Sequence, residues 1–190
     1  MIKFDHFGIL APIYELFIKP RHPDFLSGLL ALPAEGALLD AGGGTGRVAQ
    51  FMAGQARPVV VADLSFRMLK KTKGKNGLRA VCAPTESTPF ADGAFERIIM
   101  VDALHHVLHQ QETIRELWRL LAPGGRLVIE EPDIRAPGVK LVAAGEKLLL
   151  MRSHFLSPAK IAELLHFTDA RVEIRNDGAN AFICARKTRQ

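Results

Sequence analysis

The segment LLDAGGGTGRVA (38–49) limits the possible folds more than any other part of this 190-residue chain. A short apolar run ends in Asp40 and is followed by Gly42, Gly43, Gly44, Thr45 and Gly46, then by residues at helical spacing. Glycines at a strand end let the backbone turn tightly and approach a ligand, with the N–H groups of the next helix aimed at it. Open α/β sheets bind ligands beyond the carboxyl ends of their strands, which is where this loop falls. A dinucleotide loop reads G-x-G-x-x-G; counted from Gly42, its third glycine belongs at 47, where Arg47 stands. No Gly-Lys-Ser/Thr closes the loop, so it is not a phosphate-cradling one. An acid at the strand end, Asp40, repels a pyrophosphate and suits a ligand with a cationic ammonium.

The rest of the chain alternates in the same way. Strands are expected at 37–41, 58–64, 78–83, 96–104 and 125–132, and helices at 46–54, 65–73, 110–121 and 157–167. Ser65 and Ser157 are placed as N-caps, the latter with Pro158 at the first helical position. In the helix at 110–121, Ile114, Leu117, Trp118 and Leu121 share one face, and APGG ends it. Two last strands, ARVEIRN and NAFICARK, join through DGA (177–179), where Asp177-Gly178 can supply the positive-φ residues of a tight hairpin. Strands separated by helical crossovers imply a parallel sheet covered on both faces. The expectation is an α/β, Rossmann-like, seven-stranded and mostly parallel sheet with an antiparallel C-terminal hairpin strand. One domain is expected over 1–190, with 1–36 as a helical arm or lid and 37–190 as the core.

Composition narrows the function classes. Hydrophobic residues make up 48% and charged residues 24%, the profile of a soluble globular chain. No apolar run reaches the ~18 residues that cross a bilayer, and MIKFDHFGIL has no signal-peptide pattern. The two cysteines, Cys82 and Cys184, lie in apolar strand-like runs; they are read as buried free thiols in a reducing, cytoplasmic compartment. Some of the net charge of +5 is local, in LKKTKGKNGLR and ARKTRQ. These read as a solvated loop and tail, and with no groove-reading motif a nucleic-acid partner is not expected.

Asp63 ends the second strand, in VVVADLS. An acid there accepts hydrogen bonds from both hydroxyls of a ribose. With Asp40 and the glycine loop, it points to a nucleoside carrying a cationic tail and no phosphates. At these residues the chain resembles the class I S-adenosylmethionine-dependent methyltransferases, and is most similar to the ubiquinone/menaquinone-biosynthesis C-methyltransferase-like group. The resemblance covers nearly the whole chain: LLDAGGGTGR, VVVADLSFRMLKKTK, APTESTPFADGAFERIIMVDALHHV, RLLAPGGRLVIEEPD, HFLSPAKIAELL and, at the N-terminus, FDHFGILAPIYELF with Tyr14. It implies S-adenosylmethionine as cofactor, with S-adenosylhomocysteine as product. The residues implied to hold it are Asp40, Gly42, Gly43, Gly44, Gly46, Asp63, Leu64, Met68, Val101, Asp102 and Tyr14. Where the family carries an aspartate toward the adenine amino group stands Pro84, so Thr85 and Glu86 are the candidates for that contact.

The stretch VDALHHVLHQQ follows the fourth strand. His105 and His109 are spaced i, i+4, but no H-E-x-x-H glutamate accompanies them and no metal site is expected. His105 and His106 are the candidate general bases, since an imidazole titrates near neutral pH. His109 is placed on the surface, starting or capping the next helix. Trp118 is read as core. Glu130 and Glu131 are read as solvated strand-end charges, either of which is a candidate substrate contact. The aromatic residues Phe4, Phe7, Tyr14, Phe17 and Phe25 either line an apolar pocket or pack the arm onto the sheet. The leading expectation is methyl transfer to a small-molecule acceptor, quinone-like or aromatic. A methyltransferase of RNA or protein and a non-catalytic S-adenosylmethionine-binding protein stand as alternatives. The oligomeric state is not legible.

Overall fold

All four residues of β1 (Leu38–Ala41) are buried because parallel strands flank it on both sides. One is β2 (Val59–Asp63) and the other β4 (Phe95–Val101), and β3 (Leu78–Cys82) lies beyond β2. Beyond β4 come β5 (Leu121–Pro132), β7 (Asn180–Lys187) and β6 (Ala170–Asp177), giving the order β3-β2-β1-β4-β5-β7-β6. β7 runs antiparallel to both β5 and β6. The chain steps outward from β1 to β3 and then crosses back to β4. Strand order therefore reverses beside β1, the place where open α/β sheets form their crevice. The computed structural model describes residues 23–136, 139 and 153–189. Tyr14, Phe4, Phe7 and Phe17 lie outside the described residues, as does the arm before Pro23.

Side chains on a strand alternate between faces, so the sheet builds two cores. On one face Leu39, Ile98, Leu127, Ile129 and Ile183 pack under α3 (Gln110–Leu120) and α4 (Pro158–Leu164). On the other, Leu38, Val61, Ile99, Val128 and Phe182 pack under α1 (Pro23–Leu30), which buries Leu26, Leu29 and Leu30. Trp118 is core as expected. It stacks on Phe167 at 4.9 Å and its indole N–H donates to Asp169 at 3.0 Å. Ser157 accepts the backbone N–H of Lys160 and Ser65 that of Met68, so both expected caps form.

Five local expectations are corrected. The helix expected at 46–54 reduces to a 3₁₀ turn, Ala49–Met52. Gly42, Gly44 and Gly46 all have positive φ, which keeps the chain out of helix until past the loop, and Gly54 at +86° stops it again. The helix at 65–73 is split: α2 (Phe66–Leu69) tightens into a 3₁₀ turn at Lys70–Gly74. β5 begins at Leu121 with no separating turn. APGG is absorbed as a register shift against β4, between the pairs Phe95–Leu121 and Arg97–Arg126. Cys184 is buried, but Cys82 is exposed because β3 is an edge strand. In the C-terminal hairpin the turn residues are Gly178 and Ala179, with Gly178 at φ +60°, one position later than expected.

The bulge in β5 makes Gly125 a sensitive position. A Cβ there would come within 2.8 Å of the Ala122 carbonyl oxygen and the Leu121 side chain, and 2.9 Å of the Glu96 carbonyl oxygen. Two of those three neighbours are backbone and cannot swing aside. Gly125→Ala is expected to destabilise the fold by about 1–3 kcal/mol in urea unfolding. A midpoint equal to that of the unaltered chain would mean that the bulge relaxes freely.

Candidate functional site

The glycine loop leaves β1 and turns back over the tip of β2. Gly42 N–H donates to the Ala62 carbonyl at 2.7 Å, and Gly46 N–H to that of Gly43 at 2.8 Å. Gly44 N–H donates to Asp63 Oδ2 at 2.9 Å, while Ser65 N–H donates to Asp63 Oδ1 at 2.7 Å. The Asp63 carboxylate is thus held at both oxygens, half-buried, at the end of β2. Lys75 Nζ donates to the Thr45 carbonyl at 2.9 Å and ties the loop to the turn before β3. The loop is close-fitted as well as bonded. A Cβ at Gly42 would meet the Ala103 Cβ at 2.8 Å, and one at Gly46 would meet Leu78 Cδ1 at 2.9 Å. The N–H groups that organise this site belong to the loop itself, since no regular helix starts behind it.

Asp40 lies beneath the loop. It is 1% exposed, and a Cβ at Gly43 would fall 2.5 Å from its carboxyl carbon. Its Oδ2 is buried without a hydrogen-bond partner. Burial pushes the carboxyl up to about 7, against the opposing pull of the Arg47 guanidinium and the Ala49 backbone N–H. Arg47, at the position where a dinucleotide loop has its third glycine, is 6% exposed. It donates to Asp102 Oδ2 at 2.7 Å and so joins the loop to the tip of β4. Asp102, expected beside a ligand, is engaged by this ion pair and sits at φ +50°. Val101, the last residue of β4, is buried.

The chain leaving β4 forms a second cluster. His105 and Glu131 are each 4% exposed at the side chain, and His105 Nδ1 donates to Glu131 Oε2 at 2.5 Å. The other oxygen, Oε1, accepts the N–H groups of Ala103 at 3.1 Å and Leu104 at 2.8 Å. Glu131 is therefore not the solvated strand-end charge expected. It crosses from β5 to hold the turn after β4. Glu130 is buried too, and accepts from Asn180 Nδ2 at 2.6 Å. His105 stacks on Phe155 at 4.3 Å and lies 3.9 Å from the ring of His106. His106 Nδ1 is 3.3 Å from Ser153 Oγ. Burial, with the neighbouring His105, pushes His106 down to about 3, so its ring is neutral at pH 7. His109 is exposed at the N-cap of α3 and makes no side-chain cap.

Around Asp63 the flanking residues divide. Leu64 is 59% exposed, whereas Met68 is buried with its methyl against Gly44. The Thr85 hydroxyl is buried and lies 3.4 Å from that of Thr113, turned toward α3, while Glu86 is half-buried. The Glu131–His105 pair, Arg47–Asp102, Ser153 and Phe155 were not assigned from sequence. The only sequence signal for the first was a glutamate at a strand end beside a strand-end histidine.

Residues 39–129 match the family described as Methyltransferase domain. The chain is 38% identical over 104 residues to the Ubiquinone/menaquinone biosynthesis C-methyltransferase UbiE of Pseudomonas paraeruginosa, covering 50% of this chain and 41% of that protein. It is 33% identical over 117 residues to the protein of that name from Pseudomonas putida, covering 56% and 46%. The match thus spans less than half the length of these curated relatives. Among solved structures, a SAM dependent methyltransferase from Aquifex aeolicus superposes with a TM-score of 0.74 at 16% identity, covering 98% of this chain and 100% of that one. The YcgJ protein from Bacillus subtilis gives 0.74 at 16%, covering 88% and 98%. These two likenesses are of fold.

Asp40 makes stability depend on pH. Its carboxyl binds a proton more tightly in the fold, at about 7, than at its ordinary value of 3.8. The contribution is full below the unfolded value and is lost as pH rises through about 7. Urea midpoints are expected to fall between about pH 4 and about pH 7, and Asp40→Asn should flatten that slope. An equal slope in both proteins would place the ionisation elsewhere.

Proposed function

We infer that this chain, a member of the class I methyltransferase family through residues 39–129, binds S-adenosylmethionine and transfers its methyl group to a small-molecule acceptor. The observation that carries the reading is the clasp of Gly44 and Ser65 N–H groups on Asp63. It orients a carboxylate at the tip of β2 beside a glycine loop at the tip of β1, the pairing that a nucleoside ribose requires. The donor set fits the rest of that cofactor. Asp40, with a buried and unpartnered oxygen under the loop, suits a nearby ammonium, which would draw its proton off. Leu64 offers an exposed apolar side chain next to Asp63 for an adenine face. Glu86 is the better-placed candidate for the adenine amino group, since Thr85 faces Thr113. Gly42, Gly43, Gly44 and Gly46 supply the close backbone approach, Val101 and Asp102 frame the β4 side, and Tyr14 remains a candidate from the arm.

The bound cofactor supplies an electrophilic methyl group on a sulfonium, whose departure as a neutral thioether needs no acid. What the protein must do is hold the acceptor in line, exclude water and, for a protonated nucleophile, remove a proton. His105 is the stronger candidate for that last task. Its Nδ1–H is fixed by Glu131, which sets the tautomer and stabilises the imidazolium formed when Nε2 takes a proton. His106, held neutral to about 3, is a weak base at pH 7 and serves better as a hydrogen-bonding wall. The names of the curated relatives support an acceptor of quinone type. Nothing in the site favours an RNA or protein acceptor over it.

Two measurements test this. Asp63→Ala should weaken S-adenosylhomocysteine binding by about 1–3 kcal/mol in calorimetry; failure of the unaltered chain to bind that ligand at millimolar concentration would sink the reading. With a reduced, short-tailed demethylated quinone as acceptor, His105→Ala and Glu131→Gln should each lower kcat by roughly 10²–10⁴-fold while cofactor affinity holds. A wild-type rate in His105→Ala would remove the base and leave positioning alone.

A further inference from the structure

Four arginines stand in register across the end of the sheet remote from the glycine loop. Arg97 of β4 pairs with Arg126 of β5, Arg126 with Arg186 of β7, and Arg186 with Arg171 of β6. Residues in register point to the same face, so these side chains form a row of about 14 Å at ~4.8 Å per strand. They share that face with Val128, Cys184 and Phe182, beside α1. Like charges directly opposed across strands are destabilising. The strain is visible at Arg97, which is held below its ordinary value by burial and by the Arg126 charge against the pull of Glu96. Its Nε is also buried without a hydrogen-bond partner.

Counter-charge is scarce. Glu96 Oε2 is 3.9 Å from Arg97, and Glu173 is 2.9 Å from Arg175. Among the described residues the Arg126 side chain reaches only the Leu29 carbonyl, at 3.4 Å. Arg171 and Arg186 are exposed, and their side chains make no ion pair or hydrogen bond among the described residues. A cleft of about 550 Å³ opens over the row, lined by Leu29, Arg126, Arg171, Glu173, Cys184 and Arg186 among others. Three arginines against one glutamate leave an excess of two positive charges at its wall. That matches a phosphoryl group, which carries about −1.5 to −2 at pH 7.

We propose that this cleft binds a small molecule bearing a phosphate or pyrophosphate group, at a site separate from the methyl-transfer crevice. Guanidinium forks bind phosphoryl oxygens in pairs, and a bound dianion would offset the repulsion within the row. The cleft has the size of a small-molecule site, in the range of about 300–1,000 Å³. A single row about 14 Å long offers little track for a polynucleotide backbone.

The test is a titration of the full chain with inorganic pyrophosphate at low ionic strength, followed by amide NMR shifts. Saturable shifts are expected at Leu127, Val128, Cys184 and Ala185. The Arg171→Thr/Arg186→Thr double variant should lose affinity by about tenfold or more. Its S-adenosylhomocysteine affinity should not change, and its low-salt melting temperature should be no lower, since repulsion is relieved and threonine suits a strand. Arg186→Lys, which keeps the charge but not the fork, should lose affinity less. No saturable binding at millimolar pyrophosphate, or equal binding by the double variant, overturns the proposal. Single-stranded RNA binding more tightly than pyrophosphate, and lost in the same variant, would overturn the small-molecule occupant.

Discussion

The Asp63 carboxylate accepts one backbone N–H from the glycine loop and one from its own strand end, and this joint positions much of what surrounds it. It couples the tips of β1 and β2, whose parallel register already sets Ala41 beside Ala62. A loop with positive φ at Gly42, Gly44 and Gly46 has no helical ladder to stiffen it. Its rigidity comes from outside: from Asp63, from the Ala62 carbonyl, from Lys75, and from side chains that leave no room for a Cβ. The loop is thus pre-organised by the sheet beneath it.

Acids mark the crevice at three neighbouring strand ends, and two of them, Asp40 and Glu131, are buried. Asp40 at β1 is enclosed and pushed up to about 7. Asp102 past β4 is paired with Arg47. Glu131 at β5 spends one oxygen on His105 and the other on two backbone N–H groups. Enclosing charge is costly unless it is bonded. The last two acids are satisfied internally, so they shape the crevice and hold its walls. Of the three, only Asp40 has a buried oxygen without a partner, which makes it the group whose charge state a cationic ligand would alter most. The arginine row at the opposite end of the sheet is the same problem with the sign reversed, and among the described residues only Arg97 of the four has an ion pair, with Glu96.

Much of the fold was legible in the chain. The β-branched and apolar runs, the capping serines and the amphipathic stretch from Gln110 are local signals, and the corresponding elements formed within a few residues. The helices after β1 and β2 were shorter than their spacing implied. Apolar periodicity records which residues face the core, and a tight 3₁₀ turn satisfies it as well as an α-helix does. Cys82 misled for a related reason: its apolar neighbours mark a strand without saying that the strand lies at an edge.

The candidate site divides along the same line. Sequence alone determined the glycine loop, the acid at the end of β2, the order of elements and hence the crevice beside β1, because these depend on residue type and on spacing along the chain. Only the tertiary structure decided what each charged side chain meets. Arg47 and Asp102 are 55 residues apart, Glu131 and His105 are 26, and the arginine row draws on four separate strands. Such pairings arise from strand register and from burial, where the low dielectric leaves a charge no partner but the one packed against it. No local pattern encodes that choice.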